Sequence, residues 1–165
     1  MDSEFLVRLI ADYAVFPVVI ISAWVLLTGV PKGHRYRAYC RVLLAGITAF
    51  LIAKLLAVTY QPSELRPYEL LGITAGASYL DNPGFPSDHA LFVTAITLAV
   101  WAETRRRGMA IFLSILVVVV CIGRVLALVH TPLDVVVGVL VACLGGVWYL
   151  QRDPAGPAKA KHKRI

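Results

Sequence analysis

The sequence predicts an all-α integral membrane protein, a bundle of about five transmembrane helices. Hydrophobic residues make up 59% of the 165 positions and charged residues only 16%, and the mean hydropathy is +0.76. A water-soluble core has no use for this much apolar surface. The apolar residues also fall into five segments close to the length of about 20 residues that a helix needs to cross a bilayer. Because backbone polar groups in lipid must be paired within the segment, we expect helices rather than strands.

The predicted spans follow one another without an internal repeat or a second domain. They cover residues 11–30, 39–60, 86–104, 109–129 and 132–150. Arg8 and Asp12 would be costly deep in lipid, so we expect residues 2–10 to form a short interfacial helix before the first span. Residues 1–150 thus form one membrane-embedded domain, and residues 151–165 form a basic, flexible tail.

The distribution of basic residues predicts the orientation. Twelve of the sixteen Lys and Arg residues lie in the 31–41 loop, the 105–107 loop and the tail, and the positive-inside rule makes that side cytoplasmic. With five spans, the N-terminus is outside and the C-terminus is in the cytoplasm. Lys54, Arg66 and Arg124 lie near the outer ends of spans instead. Each alone is explained by snorkelling to lipid headgroups, but they share that face with two histidines and several carboxylates.

These outer-face residues resemble the signature of the type 2 phosphatidic acid phosphatase superfamily, which consists of integral-membrane lipid phosphatases. The family pattern is Lys-x6-Arg-Pro, then Pro-Ser-Gly-His, then Ser-Arg-x5-His-x3-Asp. The chain matches it, in order, with Arg66-Pro67, with Pro86-Ser87-Asp88-His89, and with Gly123-Arg124 followed by His130 and Asp134. One such block alone would be a weak signal. The resemblance covers residues 50–140, and the first span carries none of it.

The chain departs from the family pattern at three positions. Asp88 replaces a glycine, and "FPSDHA" resembles the undecaprenyl pyrophosphate phosphatase branch. Gly123 replaces a serine, which removes one hydroxyl. The position of the first motif's lysine holds Thr59, and the nearest lysine is Lys54. Either an insertion separates Lys54 from the motif and its side chain still reaches the site, or Lys54 pairs inside the bundle.

The resemblance implies a role for each catalytic residue. His130 is the nucleophile, since a neutral imidazole is available near pH 7. Asp134 accepts the other ring N–H and fixes the tautomer, although "TPLD" also predicts Asp134 in the first turn of a helix capped by Thr131. His89 protonates the leaving group and later activates water. The alternative for His89 is a helix-entry residue bonded to a carbonyl.

The phosphate-binding residues are the second implied set. Arg66 and Arg124 clamp the phosphate oxygens with planar, permanently charged groups. Ser87 and the amides of residues 87–89 lie at a helix start, where free N–H groups attract anions. Asp88 either caps that helix or orients a water or a basic neighbour. We expect no cofactor and no metal, because the histidines are already engaged.

The predicted function is a metal-independent lipid phosphatase that converts undecaprenyl pyrophosphate, or another polyprenyl pyrophosphate, to the monophosphate through a phosphohistidine. Its site faces the outside of a bacterial cytoplasmic membrane, and its partners are the lipid substrate and membrane lipids. The alternatives are a phosphatase for phosphatidate, phosphatidylglycerophosphate or another prenyl-linked phosphate, and a transporter lined by the same charges. Nothing in the sequence indicates a nucleic-acid partner or a particular oligomeric state.

Overall fold

The computed structural model describes residues 3–62, 65–79 and 84–151, and within them every regular element is helical. A π-helical turn, Leu9–Tyr13, joins the first two helices, and short 3₁₀ segments lie at Lys32–His34 and Gly146–Leu150. The α-helices are α1 (Ser3–Arg8), α2 (Val15–Gly29), α3 (Arg35–Thr59), α4 (Pro67–Leu70), α5 (Asp88–Glu103), α6 (Arg107–Leu126) and α7 (Pro132–Gly145). The predicted all-α membrane fold is confirmed.

Four helical runs among the described residues are long and apolar enough to cross a membrane, and they fit a membrane-embedded protein. They are Glu4–Gly29, Lys32–Thr59, Arg107–Leu126 and Pro132–Leu150. The remaining predicted span, 86–104, is the 16-residue helix α5. At 1.5 Å per residue α5 is about 24 Å long, shorter than the hydrocarbon thickness of about 30 Å. It packs against α2, α3, α6 and α7, and is therefore the central helix of the bundle.

The N-terminal segment does not form the separate interfacial helix that the sequence predicts. Helix α1 continues through the π-helical turn into α2, so Glu4–Gly29 is one helical run. Asp12 lies in that turn and pairs with Arg124, Nη1 to Oδ1 3.3 Å. An opposite charge offsets the cost of burying Asp12, which is why the helix does not have to end before it.

Small residues allow α7 to approach its neighbours closely. A Cβ atom at Gly138 would lie 2.7 Å from the carbonyl oxygen of Ser87, and one at Gly145 would lie 2.5 Å from that of Ala45. The facing side of α3 is lined with buried alanines at positions 38, 45, 49 and 53. Small interface residues are typical of membrane helices, where close backbone packing replaces the hydrophobic drive of water.

Charged residues lie at both ends of the bundle. At one end, Arg41 binds Glu103 with both branches of its guanidinium, each at 2.7 Å, and Arg35 donates to the carbonyl of Leu27 in the last turn of α2. The predicted basic tail lies, apart from Gln151, outside the described residues. The opposite end holds the residues that the sequence singled out.

Candidate active site

The candidate site lies where the N-terminus of α5, the α6–α7 loop and the segment 65–79 meet, beside the last third of α3. Four of its side chains are buried, namely those of Arg66, Ser87, Arg124 and His130, and Asp134 is buried beside them. Burial of two guanidinium groups, an imidazole and a carboxylate at one end of an apolar bundle is costly unless they serve a site or pair with one another.

His130 is held by a backbone carbonyl. Its Nδ1 lies 2.9 Å from the carbonyl oxygen of Gly84. A carbonyl only accepts hydrogen bonds, so Nδ1 carries the proton and donates it, and in the neutral ring the lone pair is on Nε2. This contact therefore sets the tautomer that a nucleophilic imidazole requires.

Asp134 does not occupy the orienting position predicted for it. Its Oδ2 is 3.7 Å from His130 Nδ1, beyond hydrogen-bond distance, and accepts instead from the backbone N–H of Thr131 at 2.7 Å. The Thr131 hydroxyl accepts in return from the Asp134 N–H at 3.2 Å. This reciprocal capping box fixes the start of α7. Asp134 thus holds the loop that carries His130, while Gly84 holds the ring.

His89 lies in the first turn of α5 and is partly buried. Its imidazole is within electrostatic reach of Arg124, His130, Asp88 and Asp12. The two histidines of the predicted mechanism are therefore neighbours, although they are 41 positions apart in the chain. Their proximity allows one to act on the reacting atom and the other to exchange protons with it.

Ser87 is the N-cap of α5. It is fully buried, and its hydroxyl accepts from the Ala90 N–H at 3.5 Å. Its own N–H donates to the carbonyl of Asp134 at 3.0 Å, so this amide is not one of the free donors that the sequence predicted for a phosphate. The capping position belongs to Ser87, and Asp88 is the first helical residue.

The two arginines come from different parts of the chain. Arg66 precedes α4, stacks over the ring of Tyr79 at 5.1 Å, and donates from Nη1 to the carbonyl of Val129 at 2.8 Å. Arg124, near the end of α6, is 1% exposed and lies within electrostatic reach of Arg66. Two like charges held close together repel each other, and an anion bound between them would relieve that repulsion.

The loop between α6 and α7 contains a strained residue. Leu128 has φ of +58°, a left-handed conformation that L-residues other than Gly, Asn and Asp seldom adopt. Its carbonyl accepts from the Tyr68 N–H at 3.1 Å, which ties the loop to α4. Such strain costs about 1–3 kcal/mol and is found mainly at functional sites. Here it lies two residues before His130.

Comparison with protein-family models adds the observation that decides the family. Residues 38–155 match the model described as the PAP2 superfamily, which is well over half of the chain. The chain belongs to the PAP2 superfamily. Neither the comparison with curated proteins nor that with solved structures gives a match. PAP2 superfamily members are phosphatases, which supports a hydrolase that acts on phosphate esters.

Lys54 lies beside the site of this PAP2 protein, although it is farther from Arg66 in the sequence than the lysine of the family pattern. Lys54 Nζ is 3.2 Å from both carboxylate oxygens of Asp88 and 5.2 Å from the centre of the Phe50 ring. The side chains of Lys54 and Asp88 are 42% and 36% exposed. The ion pair is the bundle contact that the sequence offered as one alternative, and it also places an ammonium group next to the first turn of α5.

Lys54→Met tests whether that ammonium binds phosphate. We expect KM for a phosphate substrate to rise about tenfold, because a charge-assisted hydrogen bond contributes about 1.5–3 kcal/mol. The melting temperature should change little, since a half-exposed ion pair contributes about 0–1 kcal/mol. Lys32→Met, at the other end of the bundle, is the matched control. An unchanged KM together with a lower melting temperature would make Lys54 a purely structural residue.

Three contacts of the PAP2 site were not predicted from the sequence. They are the Gly84 carbonyl on His130, the Tyr79 ring under Arg66, and Asp12 on Arg124. Only Asp12 gave a signal, because an acid inside an apolar span is a candidate functional residue. From the sequence, that signal predicts only that residues 2–10 lie at the membrane interface.

The described part of the PAP2 protein contains no group of three or more His, Cys, Asp and Glu side chains placed to hold a metal ion. The polar groups at the site are instead two imidazoles, two guanidinium groups and the Lys54–Asp88 pair. Imidazoles are side chains that can act as nucleophiles or proton donors, and guanidinium and ammonium groups carry fixed positive charge.

Proposed function

We propose that the protein is a metal-independent membrane lipid phosphatase that hydrolyses a polyprenyl pyrophosphate, foremost undecaprenyl pyrophosphate, to the monophosphate and inorganic phosphate. The observation that carries the proposal is the hydrogen bond from His130 Nδ1 to the Gly84 carbonyl. It leaves Nε2 as a lone-pair donor in a site that also holds two arginines and a second histidine. This constellation suits attack on phosphorus.

The proposed reaction has two steps. In the first, Nε2 of His130 forms a bond to the terminal phosphorus while the bond to the bridging oxygen breaks, and His89 donates a proton to the departing monophosphate. In the second, His89 takes a proton from water, whose oxygen attacks the phosphohistidine and releases inorganic phosphate. The negative charge of the bound substrate favours the protonated imidazole that the first step needs. Arg66 and Arg124 stabilise the charge on the phosphoryl oxygens.

An apolar groove supports a lipid as the substrate. It has a volume of about 630 Å³ and runs between α3 and α5. Asp88 lies in its wall, next to the Lys54 ammonium group, and the remaining lining is apolar: Val42, Leu43, Gly46, Ile47, Phe50, Leu91, Phe92, Ala95 and Ile96. A prenyl or acyl chain in this groove would keep its phosphate head beside the first turn of α5.

The alternatives differ in the phosphate head or in the class of protein. Phosphatidate, phosphatidylglycerophosphate and other prenyl-linked phosphates present the same terminal phosphate to the two arginines. The "FPSDHA" resemblance is what favours the polyprenyl pyrophosphate. A transporter would need charged groups at several depths, whereas the buried charges of the site crowd at one end of the described bundle.

The decisive experiment is phosphate release from a panel of lipid phosphates and pyrophosphates by the purified protein in detergent, with and without EDTA. We expect the polyprenyl pyrophosphate to give the highest kcat/KM, and the rate to be the same with chelator. A higher kcat/KM for phosphatidate would mean that phosphatidate, and not a polyprenyl pyrophosphate, is the preferred substrate. Activity lost with EDTA and restored by a divalent cation would overturn the metal-free mechanism.

We further propose that the site faces outward from a bacterial cytoplasmic membrane, with the N-terminus outside and the C-terminus in the cytoplasm. Such a site suits recycling of a cell-wall lipid carrier whose pyrophosphate is exposed outside. In a variant that lacks Cys40, Cys121 and Cys143, a cysteine at exposed position 74 should react with a membrane-impermeant thiol reagent in intact cells.

The matched position for this labelling is Gly33, at the opposite end, where a Cβ would meet nothing within 4 Å. A cysteine there should react only after lysis. The reverse pattern would place the site in the cytoplasm and exclude an externally displayed substrate.

A further inference from the structure

Arg124 is bound by an acid from the first span, outside the three family motifs. Its Nη1 donates to Asp12 Oδ1 at 3.3 Å, and the Asp12 side chain is 13% exposed. The carboxylate is itself anchored: the Ser78 N–H lies 3.0 and 3.1 Å from its two oxygens, and the Ser78 hydroxyl donates to Oδ2 at 3.0 Å. Asp12 therefore joins α6 to the 65–79 segment through Arg124 and Ser78.

The approach of Asp12 depends on Gly123. A Cβ atom at position 123 would lie 2.7 Å from Ile10 Cγ2 and 3.1 Å from the backbone nitrogen of Ala11. Any larger residue, including the serine of the family pattern, would have to displace the Ile10 side chain and would press against the backbone of the π-helical turn at Ala11. The glycine at 123 and the acid at 12 are thus two parts of one arrangement.

One further nitrogen of the Arg124 guanidinium, Nε, is buried and has no hydrogen-bond partner in the described part of the chain. Guanidinium has five donors in a fixed plane, so fixing one nitrogen fixes the direction of the others. A buried donor without a partner is costly, and an anion at the site would satisfy it.

We propose that Asp12 is a positioning residue for phosphate binding: it holds Arg124 by Nη1 so that the remaining N–H groups of Arg124 face the phosphate, and Gly123 provides the space for it. The proposal rests on the proposed function, because it presupposes a phosphate between Arg124 and Arg66. Asp12 touches no reacting atom and acts only through Arg124.

The test is binding of orthovanadate, a phosphate analogue, to the full-length protein in detergent, measured by calorimetry without turnover. Asp12→Asn keeps the size of the side chain but weakens its hold on Arg124, and we expect vanadate affinity to fall about tenfold, as is typical when an outer partner of a site residue is lost. Gly123→Ser should give a similar loss by displacing the turn. In an Arg124→Lys background, Asp12→Asn should have little further effect, because the residue it positions is gone.

Glu103→Gln is the matched control. It weakens the partly buried Arg41–Glu103 pair at the other end of the bundle, and should lower the melting temperature while vanadate binding stays unchanged. If Asp12→Asn lowers the melting temperature alone, Asp12 is structural. If it tightens vanadate binding, Asp12 competes with the phosphate. Either result overturns the proposal.

The outcome for the unaltered protein separates this inference from the proposed function. Vanadate binding that depends on Asp12, without hydrolysis of any lipid in the panel, would refute the function and leave the inference standing. Hydrolysis together with Asp12-independent vanadate binding would refute the inference alone. A protein that binds no vanadate would refute both.

Discussion

Replacing His130 by asparagine is expected to lower turnover by at least about 10⁴-fold, because removal of a covalent nucleophile leaves only binding and charge stabilisation. Asparagine is chosen because its amide N–H can still donate to the Gly84 carbonyl, which accepts from His130 Nδ1 at 2.9 Å. The variant keeps the contact that holds the loop and lacks the Nε2 lone pair. Phosphate release from the lipid panel is the measurement.

His130→Ala is the comparison variant. It also leaves the Gly84 carbonyl unpaired, so it should lose about 1–3 kcal/mol of stability in addition to activity. Equal inactivity of the two variants, with asparagine the more stable, would support a chemical role for the ring. If His130→Asn retained a tenth or more of the activity, another residue would have to be the nucleophile.

Replacing His89 by alanine is expected to lower turnover by about 10²–10⁴-fold, the usual contribution of a general acid and base, and to trap the phosphohistidine. A pyrophosphate has a phosphate monoester as its leaving group, which departs without much help from an acid. The second step still needs a base to activate water. Phosphorylation of His130 should therefore outpace its hydrolysis.

The trapped intermediate is measured as acid-labile radiolabel on the protein after brief incubation with terminally labelled polyprenyl pyrophosphate. A phosphate monoester such as phosphatidate should give much less label in the same variant, because its alkoxide leaving group needs the missing acid. Label that fails to accumulate from either substrate, with activity as low as that of His130→Asn, would place His89 in the first step only.

The helices were predictable from the sequence because length and apolarity decide them in lipid. The ends of the helices were less predictable from the sequence. Arg35, Arg37 and Arg41 were assigned to a loop by charge, yet they lie in the first turns of α3, since a helix continues beyond the hydrocarbon where long basic side chains reach water or an acid such as Glu103. The central helix α5 is shorter than its predicted span because Ser87 caps it at one end and Thr104 is extended at the other.

The order of the motifs predicted that the residues of the candidate site lie close together, but it did not predict their hydrogen bonds. Each motif adjoins a helix end on the same side, so topology alone brings Arg66, His89, Arg124 and His130 together. The partner of His130 is a backbone carbonyl, and every residue offers one, so no side-chain pattern marks Gly84. Asp12 and Arg124 are 112 positions apart, a separation at which only three-dimensional packing shows which acid meets which base.

The groove between α3 and α5 has a consequence for how such an enzyme meets its substrate. Leu43, Ile47, Phe50 and Phe92 line the groove and are about half exposed on the outer surface of the bundle, so the groove opens sideways, in the plane in which lipids diffuse. A lipid would arrive by two-dimensional diffusion and never enter bulk water. The quantity that governs saturation would then be the mole fraction of substrate in the bilayer or micelle. Adding inert detergent at constant total substrate would lower this mole fraction and slow the reaction, as a competitive inhibitor would.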